Sequence, residues 1–263
     1  MPITFATALY SIAWVILMRA ASRRQATTPY IFSIILAAGL AAHGIGLYQQ
    51  MVLPEGYHFA FFKTSSLFFL TANFLILFSS LRKPLHNLFL ITLPISIATL
   101  LGSLYSETGS PAYVKLSAQT AIHILLSILA YSTMIVATVQ TLLLAFQNYQ
   151  LRHRHPTGLV RLLPPLQTME HLLFELLWVG QVLLTLVIIT GIFEIESIAM
   201  QHLHHKIVFT ALAWLIYGTL LWGRHYLGWR GSSAIRWSLS GFICLVLAYL
   251  GSKFVLEMIL GVS

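Results

Sequence analysis

The chain has 263 residues, 58% of them apolar and 8% charged, where an ordinary soluble domain carries roughly 25% charged residues. That little charge cannot cover a water-facing surface, so composition excludes a soluble globular protein. It also makes a membrane a better explanation of the net charge of +8 than nucleic acid. Cys244 is the single cysteine, which excludes a disulfide framework, a cysteine-rich metal site and a CxxCH haem-attachment motif.

A helix needs about 20 apolar residues to cross a bilayer core of roughly 30 Å. Charge-free apolar runs predict eight such helices, at about 3–18, 30–53, 64–81, 86–105, 117–146, 171–193, 207–223 and 237–258. The runs are continuously apolar and lack the alternation of an outer-membrane barrel, so the expected fold is an all-α, polytopic membrane helix bundle. Eight spans use nearly the whole chain, and residues 1–263 are read as a single integral membrane domain with no catalytic module appended.

Orientation follows from the positive-inside rule. With the N-terminus outside, the inner segments collect Arg19, Arg23, Arg24, Arg82, Lys83, Arg152, Arg154, Arg161, Arg224, Arg230 and Arg236. The outer segments hold only Lys63, Lys115, Lys206 and Lys253, together with Glu55, Glu107, Glu194 and Glu196. Both termini are therefore expected on the outer side of the membrane. The first span lacks a positive segment before it and has three arginines after it, the reverse of a signal peptide, so it is expected to be retained. The stretch Leu159–Met169, with Pro164-Pro165, is expected to lie along the inner surface.

Polar groups in hydrocarbon are costly, and each calls for a role. In the second span, IFSIILAAGLAAHGIGLYQQ, His43 accompanies Ala38, Ala42 and Gly46 at i, i+4, i+8, with Gly39 one turn away. Such a stripe admits either a neighbouring helix or a flat cofactor close to the backbone. In the fifth span His123, Ser127, Tyr131, Met134, Thr138 and Thr141 form a polar stripe that should face the bundle interior. His43 and His123 fall at comparable depth in the outer leaflet. Two inward-facing imidazoles at one level suit a bis-histidine haem, and equally an interhelical hydrogen-bonded pair.

Between the sixth and seventh spans, EIESIAMQHLHHK crowds Glu194, Glu196, His202, His204 and His205 together. A solvated interfacial loop, a ligand or haem contact, and a metal site are the three readings, though the spacing matches no strong metal motif. His153 and His155 among arginines read as surface, as do His86 and His171 at the interface. Glu175 reads as a buried carboxyl kept neutral, or as a proton-path group. No Walker loop, GxSxG, HExxH or paired catalytic carboxylate occurs, so no enzyme activity is expected.

The run HHKIVFTALAWLIYGTLLWGRHYLGWRG, followed by SGFICLVLAYLGSKFV, resembles the cytochrome c assembly protein family of the CcsA/ResC type, with its WLIYA helix, GWRG turn and GF…YLG helix. HILLSILAYSTM resembles that family's H-V-x-x-x-x-x-S-Y-A helix. With eight spans and HGIGL in the second, the chain looks most like the family's small inner-membrane, YpjD-like branch. The resemblance is sharpest over 118–255.

It implies a membrane protein that binds and delivers haem b non-covalently, working in the lipid bilayer with other cytochrome c maturation or membrane proteins and without nucleic acid. By resemblance, His123 matches an external haem-ligating histidine, Lys206 a signature lysine, and Trp229 the GWRG turn. The chain departs from the family in lacking the tryptophan-rich WxWD loop, in carrying His204-His205 where Asp-Pro is usual, and in having no histidine in LGSKFVLEMILGVS. The candidate cofactor residues are thus His43, His123, His204, His205 and Trp229, with no metal ligands beyond them. The alternative function is a haem-free accessory or transporter-associated subunit that keeps the fold.

Overall fold

The computed structural model describes residues 1–23, 29–105, 113–114, 117–153, 163–194 and 204–251. Glu107, Lys115, Arg154, His155, Arg161, Glu196, His202 and Lys253 lie outside these described residues. The protein is all-α and polytopic, and the described residues hold eight helices long and apolar enough to cross a membrane.

In chain order the helices are α1 (Pro2–Arg23), α2 (Pro29–Met51), α3 (Phe61–Ser80), α4 (Phe89–Tyr105), α5 (Ala118–Arg152), α6 (Leu166–Glu194), α7 (His204–Tyr226) and α8 (Ser232–Val246). A 3-10 turn, His86–Leu88, leads into α4, and α8 continues as a π-helical turn over Leu247–Gly251. Two short strands, β1 (Val52–Leu53) and β2 (Gly56–His58), form an antiparallel hairpin between α2 and α3, and β3 is Tyr113–Val114.

Helix boundaries follow local chemistry. Pro2 and Pro29 occupy first helical positions, where the missing N–H costs nothing. Ser117 caps α5, its Oγ accepting from the backbone N–H of Thr120 at 3.1 Å. The GWRG turn between α7 and α8 needs its glycines: Gly228 (φ 65°) and Gly231 (φ 53°) both adopt left-handed backbone.

Several boundaries differ from expectation: α1 and α5 run on to Arg23 and Arg152, and α8 starts at Ser232. Leu166–Met169 form the first turn of α6 and do not extend the preceding loop. Pro164-Pro165 stop a helix from behind but permit one to start, and the buried side chains of Met169, Leu172 and Leu173 anchor that first turn.

The chain forms two compact units. Unit 1 comprises residues 1–113 and 146–166, unit 2 residues 114–145 and 167–263. Within unit 1, α1 packs on α2 and α4, and α3 packs on α2 and α4. Close approach depends on glycine: a Cβ on Gly39 would lie 2.9 Å from the Tyr10 ring, and one on Gly46 would lie 2.7 Å from Ile3. The small-residue face of α2 is therefore Gly39, Ala42 and Gly46, covered by α1, while Ala38 points away and is exposed.

Within unit 2, the Met134 side chain fills the space beside Gly180, joining α5 to α6. The Tyr217 ring lies against Gly241, joining α7 to α8. Hydroxyls and amides supply the remaining interhelical links. Thr141 and Ser238 hydroxyls meet at 2.9 Å, Gln181 Nε2 donates to the Trp214 carbonyl at 3.2 Å, and Trp214 Nε1 donates to Thr185 Oγ1 at 2.9 Å.

Candidate cofactor site

His43 is wholly buried in unit 1. The Tyr10 hydroxyl lies 3.0 Å from its Nδ1 and the Ser66 hydroxyl 2.8 Å from its Nε2. The Tyr10 ring also meets the imidazole edge-on, at 5.6 Å and 74°. Both ring nitrogens are engaged by protein hydroxyls, so ligation of a metal by His43 requires giving up one of these bonds. Its partners are side-chain hydroxyls of two neighbouring helices, where the sequence admitted a neighbouring helix or a cofactor.

His123 belongs to unit 2 and is half-buried near the start of α5. Its Nδ1 lies 2.9 Å from Thr190 Oγ1 on α6. The Thr190 hydroxyl is bonded back to its own helix, donating to the carbonyls of Leu186 (2.9 Å) and Val187 (3.2 Å). With that proton turned toward its own helix, Thr190 Oγ1 can accept from Nδ1–H, which places the lone pair of the neutral ring on Nε2. That is the tautomer a metal-ligating imidazole needs, with the second nitrogen held by an outer partner.

The imidazole edge sits beside Gly191, where an added Cβ would be 3.2 Å from Cε1. Next to this pair lies an open groove of about 450 Å³ lined by Gln119, Ile122, Thr190 and Phe193. One imidazole in the ligating tautomer beside an apolar groove with two polar groups is compatible with a flat, largely apolar group carrying a metal.

The rest of the polar stripe on α5 turns inward, as its spacing predicts. Tyr131, Met134, Thr138 and Thr141 are buried, and Ser127 donates back to the carbonyl of His123 at 2.8 Å. At the same end of unit 2, α7 begins with His204 and His205, of which the backbone alone is described. Lys206 follows, its Nζ lying 5.7 Å from the centre of the Tyr249 ring, which in turn packs 5.7 Å from the ring of Tyr131.

Trp229 is at the opposite end of α7. Its ring lies flat on Gly223, where a Cβ would come within 2.5 Å, and it packs 5.3 Å from the Trp237 ring. It is not brought together with His123, His204 or His205, since α7 is about 34 Å long.

Beside Trp229 is a feature the sequence reading missed. Arg224 Nη1 donates to Glu170 Oε1 at 2.8 Å and to the Trp229 carbonyl at 3.2 Å, with its guanidinium 4.6 Å from the centre of the Phe174 ring. Glu170 is nearly buried. Glu175, in contrast, is not buried: its side chain is 39% exposed and faces His171 at 3.4 Å, one turn away on α6. Helical geometry explains the exchange, because Glu175 falls beside the lipid-facing side of α6 and Glu170 on its packed side. Among the described residues no cluster of three metal-ligating side chains occurs.

Eight helices long and apolar enough to cross a membrane define a multi-pass membrane protein. The sequence profile of the family described as cytochrome C assembly protein matches residues 31–260, and this chain belongs to that family. It is 34% identical over 173 residues to the inner membrane protein YpjD of Escherichia coli (strain K12), a match covering 64% of this chain and 65% of that protein. It is 32% identical over 142 residues to an uncharacterized 28.8 kDa protein in the nifR3-like 5' region of Azospirillum brasilense, covering 53% of this chain and 52% of that one. The matches thus span 65% or less of the length of these relatives. No solved structure matches the chain.

Proposed function

We propose that this protein is a haem-handling factor of the bacterial inner membrane, a carrier or assembly component and not an enzyme, with both termini on the outer side. Haem b is the non-covalent cargo or cofactor, and His123 is the residue that ligates it through Nε2. The observation that carries this reading is the His123–Thr190 pair, whose bond at Nδ1 suits a ligand at Nε2, at the margin of the groove formed with Gln119, Ile122 and Phe193. Haem would supply the iron, and this chain supplies the nitrogen, the apolar wall and the hydroxyl that holds the ring. Lys206, with His204 and His205 beside it, lies at the same end of unit 2 and suits a ligand carrying carboxylates.

Membership of the cytochrome C assembly family and the relation to an inner membrane protein support the compartment and the pathway. Partners in cytochrome c maturation follow from the same reading, as does the outward-facing site, from the arginine-rich inner loops. The visible spectrum of the detergent-purified protein tests it. A Soret band that is retained in a surface variant and lost in His123→Ala is the expected result, and a colourless protein after haem supply overturns it.

The second reading is a haem-free accessory subunit or transporter component. The bonding of both His43 nitrogens within unit 1 favours it over a bis-histidine site built on His43. A spectrum insensitive to His43→Ala but abolished by His123→Ala separates a His123 site from the paired one.

A further inference from the structure

The end of α2, the β1–β2 hairpin and the start of α3 meet at one side chain of unit 1. Lys63, in the first turn of α3, is only 3% exposed. Its Nζ donates to the Gln50 carbonyl at 3.2 Å and lies 3.0 Å from His58 Nδ1. Gln50 is the next-to-last residue of α2, so its carbonyl is one of the four that the helix leaves without an internal donor. An ammonium at that position satisfies the carbonyl and meets the negative end of the helix dipole. The end of α2 therefore favours the charged form of Lys63.

That charge sets the state of His58. An ammonium has three donors and no lone pair, so Nδ1 of His58 is the acceptor. A ring that accepts at Nδ1 is neutral and carries its proton on Nε2. A second proton on the ring removes the accepting lone pair and sets an imidazolium 3.0 Å from the ammonium. The bond and the protonated ring exclude each other.

The hairpin's own ladder is short. β1 and β2 share two residue pairs, Val52 with Tyr57 and Leu53 with Gly56, and a ladder of that length is marginal by itself. β3, next to β2 in the sheet, is two residues long. Pro54, Glu55 and Tyr57 are exposed, whereas His58, at the end of β2, is half-buried and tied to a buried anchor.

We propose that the His58–Lys63 bond is a proton-operated latch. It holds the β1–β2 hairpin on the ends of α2 and α3 while His58 is neutral and releases it when His58 gains a proton. Among the described residues, the hairpin itself carries Glu55 and Tyr57, both exposed, and α3 contributes Lys63. β3 brings no charged residue. On α2, Tyr48 is exposed and His43 is held deeper by Tyr10 and Ser66. The released state binds one proton more than the latched state, so latching is favoured at neutral pH and lost as the pH falls. Lys63 keeps the Gln50 carbonyl in both states, so the hairpin moves and the two helix ends stay. The orientation proposed above puts the latch on the outer face, but its chemistry is the same in either orientation.

Hydrogen exchange of the purified full-length protein, read by mass spectrometry at about pH 7.5 and about pH 5 and corrected for the intrinsic rate at each pH, tests the latch. Peptides covering residues 52–58 should lose protection by about tenfold or more at the lower pH, while the buried middle of α5, residues 130–141, keeps its own. His58→Gln supplies an acceptor that does not titrate, so its hairpin should stay protected at both pH values. Lys63→Met removes the anchor, and its hairpin should exchange fast at both. Equal protection of the wild-type hairpin at the two pH values overturns the proposal, and that measurement needs no variant to fold. A loss in His58→Gln equal to that of the wild type overturns it too, as does joint loss of protection in α5, which marks general acid unfolding.

Discussion

Trp14 and Leu90 are joined by a hydrogen bond that a proline makes necessary. Pro94 sits inside α4 and has no N–H, so the carbonyl of Leu90, one turn earlier, loses its helical donor. Trp14 Nε1, from α1, donates to that carbonyl at 3.1 Å. In hydrocarbon no water replaces the missing bond, and a neighbouring helix must supply it.

Trp14→Phe removes the donor and leaves Leu90 unpaired. A loss of about 1–3 kcal/mol of stability is expected. Pro94→Ala restores an N–H to the helix, so adding it to Trp14→Phe should recover most of the loss. Thermal or denaturant unfolding in detergent of the four proteins of this cycle checks the coupling, and strictly additive effects would refute it.

Gly39→Ala places a Cβ 2.9 Å from the Tyr10 ring, in a contact between two helices. Either the ring or α1 must shift, at a cost of about 1–3 kcal/mol. The shift also disturbs the Tyr10–His43 bond, so the melting temperature should fall by more than the steric cost alone. Gly44→Ala is the control, since its nearest neighbour is Leu70 at an ordinary 3.9 Å.

Thr190→Val keeps the shape of the side chain beside His123 and removes the acceptor for Nδ1–H. If His123 ligates haem, affinity should fall roughly 10–100-fold, the usual effect of losing an outer partner of a metal-bound histidine. Thr190→Ser should retain wild-type affinity. Titration of haem into the purified protein, followed at the Soret band, measures this, and equal affinity in the valine variant would separate Thr190 from the site.

Arg224→Ala strands Glu170, nearly buried, without its partner. The cost should approach, without reaching, the roughly 3–5 kcal/mol of a fully buried pair, because Arg224 itself is partly exposed. Arg224→Lys keeps the charge but loses the fork that binds both Glu170 and the Trp229 carbonyl, so an intermediate melting temperature is expected. Exchanging the two residues should not restore stability, since a glutamate at 224 cannot donate to the Trp229 carbonyl.

The sequence by itself determined the spans. Crossing a bilayer demands about 20 apolar residues with internally satisfied backbone, and that constraint is written locally in the chain. It located all eight helices but missed a turn or more at the ends of α1 and α5 and at the starts of α6 and α8; at α6 the double proline masked the helix start. It also showed that His43 and His123 sit on packed faces, because periodicity reveals which side of a helix avoids lipid.

Tertiary structure decided the partners. Tyr10 and Ser66 on His43, Thr190 on His123, Trp14 on Leu90 and Arg224 on Glu170 join residues 23 to 76 positions apart, farther than any local motif reaches. Such pairings depend on which faces meet and at what register. A hydrogen bond between helices requires its atoms within about 3 Å, and no local pattern of one helix encodes the position of another. The histidines were legible as polar groups in a membrane; which hydroxyls hold their ring nitrogens was set by the neighbouring helices.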